Sequence, residues 1–385
     1  MFVDFIQNGQ GHGEVGEMLA NYRFEPGLMR PYIDSKGRSC VTVADGQEYD
    51  KVNNVYRPKY RKELTRNMDG VGLVNNATTL RKDEWIRFDT AVLREARARL
   101  RAWADLAEAN TYGGFDGMSK TILEHETMSD PGEAVVDMDG LTDARNDYPK
   151  FQLQGLPLPI THSDFFFGQR KLAESRNTGT PLDVTMAEVA GRRVAEMIEK
   201  TLLGIETGIT YGASTKYARA AKVYGYTDYS DINTKTNLTT PTGINPSSTV
   251  SDVLAMRETL YNDNFFGPFM LYHSKDWDKW LDNDYYATAT AVGITGANQT
   301  LRQRLRQIEG IVDVRRLDFF TNTYSLLMVQ MTQDVCRAVV GMPLTTVQWP
   351  SQGGMRVNFK VMTIMVPQIR SDYTGRCGIL YATTS

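Results

Sequence analysis

The chain has 385 residues, long for one compact core, and that length implies roughly two or three structural units. A hydrophobic share of 41%, a charged share of 23% and a net charge of −3 exclude the strongly basic balance that would by itself draw in nucleic acid. Cys40, Cys336 and Cys377 are far apart and form no C-x-x-C, and His12, His125, His162 and His273 do not cluster, which argues against a disulfide framework or a structural zinc site and for a reducing compartment. The opening MFVDFIQNG has no basic region followed by an apolar core, and no apolar run approaches the ~18 residues of a membrane span, so a cytoplasmic protein is expected.

Residues 1 to about 80 mix glycine, polar residues and short apolar patches broken by Pro26, Pro31 and Pro58, and read as an irregular arm. Within the arm, GHGEVG (Gly11, Gly13, Gly16) matches the dinucleotide fingerprint, with Asp34 at a suggestive distance. The glycines do not follow a strand directly, however, and no second strand ends at Asp34. In YRPKYRKELTR, Arg57, Lys59, Arg61, Lys62 and Arg66 are interleaved with Tyr56 and Tyr60, the pattern of a nucleic-acid-facing arm or of a solvated face.

From Asp83 to about Ala109 the spacing of Trp85, Phe88, Val92, Ala96, Leu100, Trp103 and Leu106 predicts one amphipathic helix, whose other side carries Arg94, Arg97, Arg99 and Arg101. Thr121 to Phe167 reads as two long strands forming a hairpin with a turn-rich tip at Leu141–Pro149. Asp137, Asp139, Gly140 and Asp143 resemble a calcium loop faintly, but no glutamate closes it.

The strongest helix signal runs from Thr180 to Gly204, about 36 Å long at 1.5 Å per residue. Thr180 is the expected N-cap, with Pro181 at the first helical position, Asp183 completing a capping box and Gly204 as C-cap. Its buried stripe is expected at Met186, Ala190, Val194, Met197, Ile198, Thr201, Leu202 and Ile205. Glu188, Arg192, Arg193, Glu196, Glu199 and Lys200 fall mostly on the wet side. Residues 205–249 read as loop. Thr249 and Asp252 are expected to cap VLAMRETLYN, FGPFMLYHS to be a strand, Ser274 to cap KDWDKWLDNDYY, and LRQRLRQI to be a short basic helix before GIVDVRRLDFF. SLLMVQMT, VCRAVVG, TTVQWP, MRVNFKVMTIMVPQIR and CGILYATT read as strands.

None of the usual catalytic motifs is present: no P-loop, no G-x-S-x-G, no H-E-x-x-H and no activated Cys/His pair. The expectation is an α+β protein with long arms that is not an enzyme and holds no cofactor or metal.

The order of parts carries a resemblance. PLPITHSDFFFGQRKLAESRNTGTPLDVTMAEVAGRRVAEMIEKTLLGI resembles the shell proteins of the Hong Kong 97-type fold shared by tailed-phage major capsid proteins and bacterial encapsulins, through Pro157, Leu158, Phe165, Ser175, Arg176, Gly179, Pro181, Leu182, Asp183 and Gly204. FFGPFMLYHSKDWDKWL is similar to the family's axial-domain helix, strand and helix, and VMTIMVPQIRSDYTGRCGIL to its closing strands.

The resemblance implies an N-terminal arm (1–82), an amphipathic helix (83–115), an extended-loop hairpin (116–175), a peripheral domain (176–211 and 336–370) built on the spine helix 181–204, and an axial domain (212–335 and 371–385). It implies assembly through Lys150, Leu158, Ile160 and Phe165, with Arg57, Lys59, Arg61, Lys62, Arg94, Arg97 and Arg101 facing a lumen and nucleic acid. The implied function is a major capsid protein forming pentamers and hexamers around double-stranded DNA, assembled in a bacterial cytoplasm, with portal, scaffolding or cement proteins as further partners. The eighty residues before the amphipathic helix favour a phage subunit over an encapsulin compartment, and a nucleotide-binding oxidoreductase using Gly11–Gly16 is the rival of another class. Some relatives crosslink a lysine to an asparagine; Lys150 and Asn358 are the pair available here.

Overall fold

The computed structural model of the chain describes residues 32–33, 39–50, 55–64, 82–129, 136, 138–139, 148–178, 184–205, 217, 221–241, 246–290 and 293–384. Tyr32–Ile33 (β1), Ser39–Asp50 (β2) and Val55–Leu64 (β3) form an antiparallel sheet in that order, so this part of the expected irregular arm is regular. The acidic DGQE is carried inside β2 by a register shift between Ala44 and Gln47. That bulge lies opposite Pro58, where a strand tolerates a missing N–H.

The predicted single helix over 83–109 is two helices, Lys82–Arg99 (α1) and Ala102–Ala109 (α2). The break aims the free N–H groups of α2 at a buried carboxyl group: Trp103 donates its backbone N–H to Glu199 Oε1 at 3.2 Å. The short strand Thr111–Tyr112 (β4) follows.

The expected hairpin divides. Ile122–Met128 (β5) pairs antiparallel with Phe151–Pro157 (β6) as a two-stranded ribbon, while Thr161–Gly168 (β7) leaves it for another sheet. Gln169–Thr178 (α3) leads on to the spine, Thr185–Leu203 (α4), which ends as expected at Gly204 in the left-handed conformation (φ 85°). The predicted cap at Thr180–Asp183 lies outside the described residues.

The remaining elements are Asn233–Lys235 (β8), Pro246–Asn262 (α5), Phe269–His273 (β9), Asp278–Leu281 (α6), Asp284–Thr290 (β10), Gly293–Thr300 (β11), Leu301–Arg306 (α7), Ile311–Arg316 (β12), Leu326–Gln330 (β13), Cys336–Ser351 (β14), Arg356–Ile369 (β15) and Ile379–Ala382 (β16). Three expectations here are corrected. The stretch read as loop contains β8; α5 starts at Pro246, which puts Thr249 inside the helix; and Ser274 makes no side-chain cap before the short 3₁₀ turn Lys275–Trp277. The basic helix is as predicted, with a capping box between Thr300 and Gln303 that the sequence reading overlooked.

Two larger sheets organise the molecule. One has the order β4-β14-β15-β7, and the other β12-β9-β13-β16-β8. On the first, α1 and α4 cover Phe165, Phe167, Val357, Phe359 and Val361. Phe359 lies nearly parallel to Phe88 (5.5 Å, 7°) and Phe165 (5.1 Å, 10°), which are themselves 6.3 Å apart, so the three rings form a triangle. The second sheet is buried on both faces. Leu326, Met328, Phe269 and Leu271 point into the core under α5 and α7, while the alternate residues Leu327, Val329, Met270 and Tyr272 join the core of the first sheet. This period of two explains why SLLMVQMT and FGPFMLYHS are continuously apolar.

Candidate assembly surface

The spine helix α4 sets the geometry. Its buried residues are Ala187, Ala190, Gly191, Val194, Ala195, Ile198, Glu199, Leu202 and Leu203, a wider band than the predicted stripe because α1 covers one side and the first sheet the other. Met186 and Met197, predicted inside, are 47% and 40% exposed, and Glu199, predicted outside, is 2% exposed. Gly191 permits the contact with α1, since a Cβ there would stand 3.0 Å from both Cγ1 and O of Val92.

Burial holds Glu199 well above the usual carboxyl range, to about 7, against backbone N–H groups at the start of α2 that favour its charged form. Asp105, on α2, is also pushed up by burial. It accepts a hydrogen bond from Tyr272 Oη at 2.9 Å and is ion-paired with Arg315, so the two acids tie α2 to the spine and to the second sheet. A second cluster lies beneath that sheet. Asp278 binds Arg302 at 3.0 Å and Arg316 at 2.9 Å, and these guanidiniums hold its pKa down against burial. Buried His273 has its Nδ1 3.0 Å from Ser274 O and its Nε2 3.2 Å from Arg302, an arrangement satisfied only by the neutral ring with the proton on Nδ1. Burial is the largest reason its pKa is lowered. These are structural polar networks. Among the described residues no group of three or more His, Cys, Asp or Glu is placed to hold a metal ion, and no helix is long and apolar enough to cross a membrane.

The predicted assembly residues divide. Lys150 is exposed at the outer end of the ribbon, where its backbone pairs with Ser129, and Ile160 is exposed. Leu158 and Phe165 are buried within the subunit, and Phe165 at 6% exposure belongs to the aromatic stack, so neither offers a face to a neighbour. The ribbon's outer end is apolar instead: cross-strand partners Met128 and Phe151 are both exposed, as are Val136, Met138 and Tyr148. Sequence reading missed these residues because a strand of mixed polarity does not show which of its apolar positions lie bare. Asn358, half of the nominated crosslink, is buried in β15 and donates to Ser351 Oγ at 2.7 Å; it is not available to a lysine.

Of the predicted nucleic-acid-facing residues, Arg57, Lys59, Arg61 and Lys62 lie on β3. Arg94, Arg97 and Arg101 are exposed along α1 and the α1–α2 break, with Arg94 bound to Glu188 at 2.6 Å and Arg101 3.9 Å from Asp318. Acids thus offset part of the row. GHGEVG and most of the faint calcium loop lie outside the described residues.

A spine helix across a sheet, a second sheet buried on both faces and a separate two-stranded ribbon together make the Hong Kong 97-type fold. The chain belongs to DUF6260, a family of unknown function whose model matches residues 75–382. Among solved structures it is similar to the virus-like particle from Pyrococcus furiosus (17% identity, 78% of this chain and 98% of that one, TM-score 0.50). It is also similar to the capsid of Myoviridae phage XM1 (10% identity, 72% and 90%, TM-score 0.51). No curated protein matches it.

Proposed function

We propose that the chain is the major capsid protein of a tailed phage, assembling as pentamers and hexamers into an icosahedral head around double-stranded DNA. The observation that carries this is the β5–β6 ribbon. It pairs with no third strand among the described residues, and while its inner part packs on a small core of the subunit's own, its outer end bares Met128 and Phe151, with Tyr148 also exposed, and apolar surface of this kind needs covering. A neighbouring copy supplies that cover. In this reading α1, α4 and the first sheet form the peripheral domain, and the second sheet with α5 and α7 the axial domain. Arg94, Arg97 and Arg101, with the basic β3, face the lumen and meet DNA phosphates without sequence preference. Portal, scaffolding and cement proteins are the further partners, and the site of assembly is the host cytoplasm.

A compartment shell of the encapsulin type is the second reading, supported by the match that spans 98% of the virus-like-particle chain. Electron microscopy of the purified, expressed protein tests both. Closed, uniform shells are expected, and a protein that stays monomeric under all assembly conditions overturns the shell reading. Neighbouring terminase and portal genes, as against a cargo-enzyme gene, separate phage head from compartment.

A further inference from the structure

Midway along the β5–β6 ribbon, His125 packs into the body with both ring nitrogens shut off from water; neither makes a well-formed hydrogen bond, although the side chain of Gln154 opposite is near enough to favour the ring's proton. Each buried polar atom left in this state costs roughly 1–3 kcal/mol of desolvation. The ring lines a cleft with Gln154, its cross-strand neighbour, and with Lys222, Tyr224, Tyr229 and Gln368. Around it the ribbon is well held. Leu123, Leu156 and Leu158 share a small core with Val223, Met342, Met362, Ile364 and Val366, and Tyr217 packs its ring on Gly155 while donating to Glu124 at 2.8 Å.

The charges facing His125 are unfavourable to a proton. Arg370, whose Nε is itself buried without a partner, and Arg337 of β14 both lie close enough to oppose a positive ring. Lys222 is a third cation, and Asp228 on the same segment is already bound to it at 2.8 Å. Asp334 acts on Arg370. Glu124 and Glu126, the neighbours of His125 on its own strand, are exposed on the opposite face of β5, and Tyr229 is engaged with Ser371.

We propose that this part of the ribbon is an acid-released latch, in which protonation of His125 beside Arg370 and Arg337 drives β5 and β6 off the body while the two sheets and the spine stay folded. A released ring is solvated and titrates near its ordinary value of about 6.5. Held in place, it is pushed down to about 4, chiefly by burial and next by Arg370. Within that interval each unit of acidification favours release by up to about tenfold. The latch is a property of the subunit and does not depend on the shell reading.

Amide hydrogen exchange on the full chain between pH 7 and pH 5, expressed as protection factors, tests it. Protection over 122–128 and 151–157 should fall by about an order of magnitude or more, while the amides of 185–203 keep theirs. His125→Phe, a ring that cannot titrate, should remove the response. Arg370→Gln should move it to lower pH, because less repulsion is relieved on release, and this variant carries the test if His125→Phe does not fold. Unchanged protection in the wild type, an acid response surviving in His125→Phe, or simultaneous loss over 185–203 would each overturn the latch.

Discussion

Glu199 shows how a charged residue can be wrong for its helix face and right for its fold. Its position beside Glu196 and Lys200 reads as solvent-facing, but the start of α2 brings unpaired N–H groups to the same point, and a carboxyl group there satisfies them. Nothing local in the sequence signals this, since the partner lies 96 residues away. The consequence is a pH dependence of definite sign. The folded group holds its proton up to about 7, whereas the unfolded one releases it near 4.5, so stability falls as pH rises between those values, by up to about 3 kcal/mol. Glu199→Gln keeps an acceptor for the Trp103 N–H and does not titrate. Melting of the variant should therefore change less than the wild type from pH 5 to pH 7.5, and identical profiles would show that Glu199 is ionised throughout. His125 works in the opposite direction, weakening the molecule as pH falls.

Among the elements, α4 was the most legible and also the most instructive. Its C-terminus at Gly204 and the inward direction of Ala190, Val194, Ile198 and Leu202 follow from spacing alone. The width of the buried band does not, because it depends on α1 closing over Gly191. Val194→Arg places a charge where α1, α4 and the sheet meet and should cost several kcal/mol, seen as loss of soluble protein. Glu196→Ala, at the half-buried rim beside Arg192 and Arg99, should cost less than about 1 kcal/mol. Gly191→Ala should fall between them, at about 1–3 kcal/mol, since the contacted atoms include Val92 backbone. Equal melting of all three would mean the phase is wrong. In sequence, Gly341 and Pro343 punctuate β14 into two pieces, VCRAVVG and TTVQWP. In the fold it stays one strand through register shifts at Val340/Met342 and Met342/Thr345, and Gly341 is where Gly117 crosses.

At the scale of the whole molecule the α+β class is readable, while the allocation of strands to sheets is not. THSDFFFG looks like the return of a hairpin, and only its pairing with β15, nearly two hundred residues later, assigns it to the core. The hairpin that remains is shorter, and Met128, Tyr148 and Phe151 at its outer end are exposed. Replacing Leu141–Pro149 with a short Gly-Ser link should leave a soluble, cooperatively melting protein that sediments as monomers or isolated capsomers. Closed shells from that variant would remove the ribbon from assembly, and an insoluble product would place its tip in the core.

The same sheet has a consequence for how each copy is made. β4 and β7 are synthesised well before their partners β14 and β15, which follow roughly two hundred residues later. At 5–20 residues per second, Phe165 waits roughly 10–40 s for Phe359 to be synthesised, and until then α1 and α4 have no finished floor to lie on. Synthesis must therefore run through β15 before the main core can form. A copy terminated before β15 cannot complete the sheet under α1 and α4, so the topology itself keeps such a copy from folding its main core.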